Sequence, residues 1–173
     1  MRIVTRSLLV VAALGVAGCT NPDRFGANGG ADGTAGYNAG GDVTTGGIDD
    51  PRSVAYFQQR VGDRVLFAVD QSTLTPEGRA TLDGQAEWLM TNTEFTAVIE
   101  GHADEQGTRE YNLGLGARRA NAVLEYLVSR GVSSARLKTV SYGKERPLEI
   151  CSEESCYAKN RRAVTVVAAG LTS

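Results

Sequence analysis

Two side chains sit where their charge must do something specific: the carboxylate of Asp104 and the guanidinium of Arg119. Asp104 follows an apolar run, Phe95 to Ile99, so it belongs to a loop just beyond a strand end, with Glu105 beside it and Gly107 providing a turn. Arg119 belongs to a stretch with helical periodicity from about Glu110 to Ser129, capped by Thr108. At about 100° per residue, Gly114, Arg118, Asn121, Glu125 and Ser129 share one polar stripe. Leu113, Leu115, Ala120, Ala122, Val123, Leu124, Tyr126 and Leu127 fill the apolar arc, and both Arg119 and Asn112 fall inside it. The neighbouring arginines therefore differ. Arg118 is a solvated surface charge, whereas Arg119 is aimed inward, where an unpaired cation is too costly to keep. It needs an anion, and Asp104 is the nearest candidate in the sequence. At the mouth of one cleft the two would match a zwitterion, ammonium to Asp104 and carboxylate to the arginine fork, at about 1.5–3 kcal/mol per charge-assisted bond. The same two residues would also make a purely structural buried pair, and residue chemistry leaves both readings open. On the first reading, Arg119→Ala abolishes binding with the fold intact and Arg118→Ala changes little.

Other chemistry finds less support. His102 is the single histidine, close to Asp104 and Glu105. A catalytic zinc takes three protein ligands at recognisable spacing, so no metal is expected, and His102 reads as a hydrogen-bonded residue at a strand end. No Ser or Cys occupies a nucleophile elbow, and no glycine pattern cradles a phosphate before a helix. Asn160, Arg161 and Arg162 open the last strand, where alternation puts the two arginines on opposite faces without saying which meets a ligand.

The chain begins with a basic stretch, Met1 to Arg6, then an apolar run, Leu8 to Ala17, then Gly18 and Cys19. That run is too short for a bilayer core, which takes about 20 residues, and fits the core of a signal peptide over residues 1–18. Val16-Ala-Gly-Cys19 matches the lipobox of bacterial lipoproteins, in which the Cys is lipidated; the alternative is an ordinary signal peptide cut nearby. Removing Arg2 and Arg6 leaves 16 basic against 20 acidic side chains, net −4, without a basic stripe for nucleic acid. Export implies an oxidising compartment. Of three cysteines, Cys19 is then taken by lipid and Cys151 and Cys156 can close a small loop for about 2 kcal/mol, or stay as free thiols. From Asn21 to Pro51 the chain is Gly-rich, with nine glycines between Gly26 and Gly47, too poor in apolar residues to offset its ordering entropy. Residues 19–52 are therefore expected to be a flexible tether with an r.m.s. span of about 30 Å.

The folded part, residues 53–173, must position Asp104 and Arg119. A strand is expected over Val61 to Val69 and a helix after Thr75-Pro76 to about Met90, with Leu82, Ala86 and Leu89 inward. A second strand spans Phe95 to Glu100, then come the Asp104 loop and its helix. A third strand spans Leu137 to Tyr142, and a loop carrying the cysteines leads to a last strand, Ala163 to Ala168. The order βαβαββ gives an α/β (α+β) sandwich, one mixed sheet with helices on one face.

Glu100-Gly-His-Ala-Asp-Glu105, Glu110-Tyr-Asn112, Ala117-Arg-Arg-Ala-Asn-Ala-Val123, Val140-Ser-Tyr-Gly-Lys-Glu145 and Lys159-Asn-Arg-Arg-Ala163 together resemble the OmpA-like C-terminal domain family, in its peptidoglycan-associated lipoprotein branch. The similarity covers roughly Arg64 to Val167. It implies a non-enzymatic domain in which Asp104 and Arg119 grip the diaminopimelate of the peptidoglycan stem peptide, with Phe67, Ala68 and Asn112 nearby and no cofactor. It further implies an outer-membrane lipid anchor at Cys19, facing the periplasm, and work with TolB and the other Tol proteins in envelope integrity and cell division. Thr20 is not the Asp that retains similar lipoproteins at the inner membrane. Two residues depart from the family pattern: Gly116 stands where Ser is usual, and Ala68 where Asp is common. The rival expectations are a peptidoglycan-cleaving enzyme using His102 and Asp104, and an adaptor that never touches the wall.

Overall fold

The computed structural model describes residues 46–150 and 152–170. Cys19, Cys151, the leader and most of the Gly-rich stretch lie outside the described residues.

The chain enters through a helical turn α1 (Val54–Tyr56), which runs into a π-helical stretch (Phe57–Gly62). The centre of the sheet is β2 (Phe95–His102), where Phe95, Ala97 and Ile99 point inward and are buried while Thr96 and Val98 face out. On one side β4 (Arg162–Ala169) pairs with β2 antiparallel; on the other β3 (Leu137–Gly143) pairs parallel. A short β1 (Arg64–Leu66) adds to the far side of β4, giving a mixed sheet of order β1-β4-β2-β3. Helices α2 (Pro76–Thr91) and α3 (Arg109–Ser129) pack on the inward-pointing face, and Val98 and Val166 stay exposed on the other. This is the expected α/β (α+β) sandwich.

Local chemistry sets the helix ends. Thr75 Oγ1 accepts the amide of Gly78 at 3.0 Å and Pro76 takes the first helical position of α2. At the other end of α2, Arg136 donates to the carbonyls of Leu89, Asn92 and Phe95 at 2.8–3.0 Å, satisfying groups that a helix end leaves orphaned. Trp88 packs tilted between Phe57 and Phe95 with ring centres 4.8 Å apart in each case, and its Nε1 donates to Pro51 O at 2.7 Å. Ser53 Oγ donates to Gly47 O at 2.8 Å, and Arg52 pairs with Glu94 at 3.3 Å. Residues 46–52, assigned by sequence to the end of the tether, are thus docked at the N-terminal end of β2.

Helix α3 approaches β2 closely because both sides carry glycine. A Cβ on Gly101 would collide with the carbonyl oxygen of Gly116, and one on Gly116 would lie 2.8 Å from Gly101 O and collide with Ser141 Oγ. That hydroxyl donates to Leu113 O at 2.6 Å, so a serine from β3 fills the space beside Gly116.

Two elements and one side chain differ from expectation. The first strand is three residues long rather than Val61 to Val69: Val61 lies in the π-helical stretch, and the chain turns after Phe67, where Gln71 N donates to Ala68 O at 3.2 Å. Alternation of Val65, Phe67 and Val69 could not show this, since the ladder is broken by a backbone turn that places Asp70 at φ 56°. A short helix α4 (Glu154–Asn160) replaces the expected loop; at seven residues it carries no apolar stripe for periodicity to detect. Leu113, placed in the apolar arc, is 49% exposed, because the sheet covers less of α3 than the full arc.

Candidate functional site

Arg119 is 0% exposed and Arg118 is exposed, so the helical face separates the two neighbours. The anion of Arg119 is a different matter. Its Nε donates to Gln71 O at 2.8 Å, Nη1 to His102 O at 2.8 Å and Nη2 to Ala68 O at 3.2 Å, and its guanidinium lies 5.2 Å from the centre of the Phe67 ring. Backbone carbonyls, not a carboxylate, satisfy it. Burial draws its pKa down to about 10, against the attraction of Asp104 close by, so it remains a cation at neutral pH.

Asp104 sits just past the end of β2, 7% exposed, and its contact partner is Arg161 rather than Arg119. Its Oδ2 accepts Arg161 Nη1 at 3.1 Å and its Oδ1 the amide of Gln106 at 3.3 Å. Arg161, just after α4, also donates to Phe67 O at 3.3 Å and pairs with Glu154 on that helix. The expected direct ion pair between Asp104 and Arg119 is therefore corrected: Asp104 has a closer cation supplied by a distant part of the chain. Asn160, fully buried at the end of α4, accepts the amides of Leu148 and Glu149 and donates to Glu105, tying these loops together.

Between the Asp104 loop and the start of α3 opens a cleft of about 280 Å³. Asp70, Asp104, Gln106, Tyr111, Asn112 and Leu115 line it. Asn112, buried as expected, donates to Gln106 O at 2.7 Å and holds the loop in place. Phe67 is buried with its ring against the Arg119 guanidinium, and Ala68 is exposed in the turn that covers Arg119. The wall thus carries two carboxylates, Asp70 and Asp104, with the guanidinium of Arg119 sealed behind the turn 68–71. Tyr111 OH donates to Asp70 Oδ1 across the mouth.

His102 corrects another expectation. It is 1% exposed and neither ring nitrogen has a hydrogen-bond partner among the described residues. Its ring lies 5.6 Å from that of Tyr142, with Nε2 3.6 Å from Glu100. Burial, reinforced by Arg162 and Arg146, lowers its pKa to about 4, so it is neutral at pH 7. Of the expected cysteine pair, Cys156 is disulfide-bonded and Cys151 lies outside the described residues. Sequence reasoning missed Asp70, Tyr111 and Glu154, and left Arg161 undecided; an acid in a Val-Asp-Gln-Ser turn was the one local signal pointing to Asp70.

Residues 66–161 match the model of the OmpA family. The chain belongs to the OmpA family. Its relatives include peptidoglycan-associated lipoproteins: that of Mesorhizobium japonicum is 47% identical over 160 residues, covering 92% of this chain and 89% of the relative. That of Rhizobium meliloti is 44% identical over 170 residues, covering 96% and 91%. The crystal structure of the peptidoglycan-associated lipoprotein from Burkholderia pseudomallei superposes with a TM-score of 0.62 at 36% identity, covering 70% of this chain and 98% of that one.

Proposed function

We propose that this chain is a lipid-anchored protein of the outer membrane, facing the periplasm, whose cleft holds peptidoglycan non-covalently through the diaminopimelate of the stem peptide. Asp104 takes the free ammonium and Arg119 the adjacent carboxylate, with Phe67, Ala68 and Asn112 framing them. The observation that carries this reading is the cleft beyond β2, with the Asp104 carboxylate on its wall and the Arg119 guanidinium immediately behind. The names of the relatives, peptidoglycan-associated lipoproteins, support the wall as what this cleft meets. Arg161 fixes the Asp104 carboxylate in place by its ion pair at 3.1 Å; a carboxylate aimed in advance contributes more to binding than one that must be ordered.

The anchor in this reading is Cys19, reached after removal of residues 1–18; the chain from Cys19 to the docked segment 46–52 bridges anchor and domain, and a Cys151–Cys156 disulfide braces the loop before α4. TolB and the other Tol proteins are the proposed partners. A hydrolytic role has little support, because the His102 ring is sealed against Tyr142 rather than turned to Asp104. The test is co-sedimentation of the detergent-solubilised full chain with purified sacculi. Pull-down that is lost in Asp104→Asn, without release of soluble fragments, is the expected result; release of fragments would favour the enzyme, and no pull-down the adaptor.

A further inference from the structure

The fork of Arg119 is already filled by something shaped like its proposed ligand. Nε and Nη2 form the side edge of a guanidinium, the edge that takes both oxygens of a carboxylate. Here those two donors hold Gln71 O and Ala68 O, two carbonyls from one turn. That turn is exposed on its outer side, and Asp70 between the two carbonyls adopts φ 56°, a conformation uncommon for a residue with a side chain. The carboxylate of Asp70 is tied to Tyr111 OH on α3, on the opposite side of the cleft mouth. The turn therefore has two fastenings: Arg119 from below and Tyr111 from the side.

Resting on the zwitterion reading above, we propose that Asp70 is a second ligand-binding carboxylate of this cleft and that the turn 68–71 is a lid that Tyr111 latches shut over Arg119. A ligand ammonium entering between Asp70 and Asp104 competes with Tyr111 for Asp70. Once the latch opens, the ligand carboxylate replaces the two turn carbonyls on the Arg119 fork, so the guanidinium exchanges one pair of oxygens for another and is never left unpaired. The two ends of the ligand are thus read in order, ammonium first. The class of ligand follows: a molecule with a free primary ammonium and a carboxylate on the same carbon, at the end of a chain slender enough for the cleft. A lysine side chain, which ends in an ammonium alone, would engage Asp70 and Asp104 but leave the Arg119 fork with its lid.

The test uses the full chain in detergent and the tripeptide L-Ala-D-Glu-meso-diaminopimelate, followed by calorimetry and by hydrogen exchange of the Gln71 amide, which donates to Ala68 O within the turn. Tyr111→Phe raises the open fraction and tightens binding by about threefold. Asp70→Asn, which keeps a residue tolerant of the turn conformation, weakens it by about tenfold. The same tripeptide with lysine in place of diaminopimelate binds at least tenfold more weakly than the parent. Tyr111→Phe binding no tighter than the wild type, or Asp70→Asn binding equally well, overturns the proposal. The latch is also tested with no ligand present: Tyr111→Phe must speed exchange of the Gln71 amide, and unchanged exchange overturns it. Failure of the unaltered protein to bind the tripeptide would instead refute the wall-binding reading, leaving the exchange measurement to decide the lid by itself.

Discussion

Arg119→Ala tests stability and binding at once, and its cost can be worked from the contacts. The side chain is fully buried and serves Gln71 O, Ala68 O and His102 O. Each bond from a charged donor is worth about 1.5–3 kcal/mol. Two of the acceptors lie in the exposed turn, where water can replace the lost donor, so the lasting penalty falls on His102 O and on the cavity left against Phe67. Against this, removing the cation recovers the cost of burial that holds its pKa at about 10, below the ordinary arginine value, on the order of 3 kcal/mol. The balance is a net loss of about 3 kcal/mol, or roughly 10 °C in Tm for a domain of this size. Guanidinium chloride unfolding followed by the fluorescence of Trp88, the single tryptophan, measures it. Arg118→Ala, at an exposed site, should stay within about 0.5 kcal/mol. A loss below about 1 kcal/mol for Arg119→Ala, or equal losses in both, would refute the account of Arg119 as the clasp of the turn. This revises the expectation from sequence that the fold would be untouched, so binding by the Ala variant must be measured well below its own melting point.

Two further outcomes follow from buried groups elsewhere. The folded pKa of His102 lies at about 4, below its ordinary 6.5, so the unfolded chain binds the extra proton between those values and stability falls as pH drops through that window, by on the order of 3 kcal/mol. His102→Phe should flatten this part of the pH profile, and denaturation at pH 7 and pH 4.5 showing the same drop in both proteins would disprove it. Gly116→Ser should cost about 1–3 kcal/mol through its collision with Ser141 Oγ and Gly101 O, and Ser141→Ala should recover part of that loss. Additive losses in the double variant, read from thermal melts, would show that the two sites are not packed against one another.

What the sequence made legible was local and periodic. The amphipathic run of α3 separated an inward Arg119 from an outward Arg118, and the apolar run ending at Ile99 placed Asp104 past a strand end. Thr75 and Thr108 marked helix starts because capping is a short-range hydrogen bond. The partner of Asp104 could not be read this way. Arg161 reaches it only because β4 pairs with both β1 and β2, and nothing local to Arg161 signals that juxtaposition. Asp70 and Tyr111 meet for a similar reason: the turn after β1 and the first turn of α3 come together across the cleft, far apart in the chain. Periodicity gave Arg119 the right direction and proximity in sequence gave it the wrong partner.

Entry of the chain at one end of β2 and the cleft at the other has a mechanical corollary. Trp88 and Glu94 fasten the incoming segment near Phe95, while Asp104 lies past His102, so the two points are separated by the length of an eight-residue strand, about 25 Å. A pull between them runs along the strand axis. Such a load would be carried along the covalent backbone of β2, and it enters the strand only through the contacts of Pro51 and Arg52 with Trp88 and Glu94. Yielding should therefore begin where residues 46–52 are fastened, well before the sheet itself gives way.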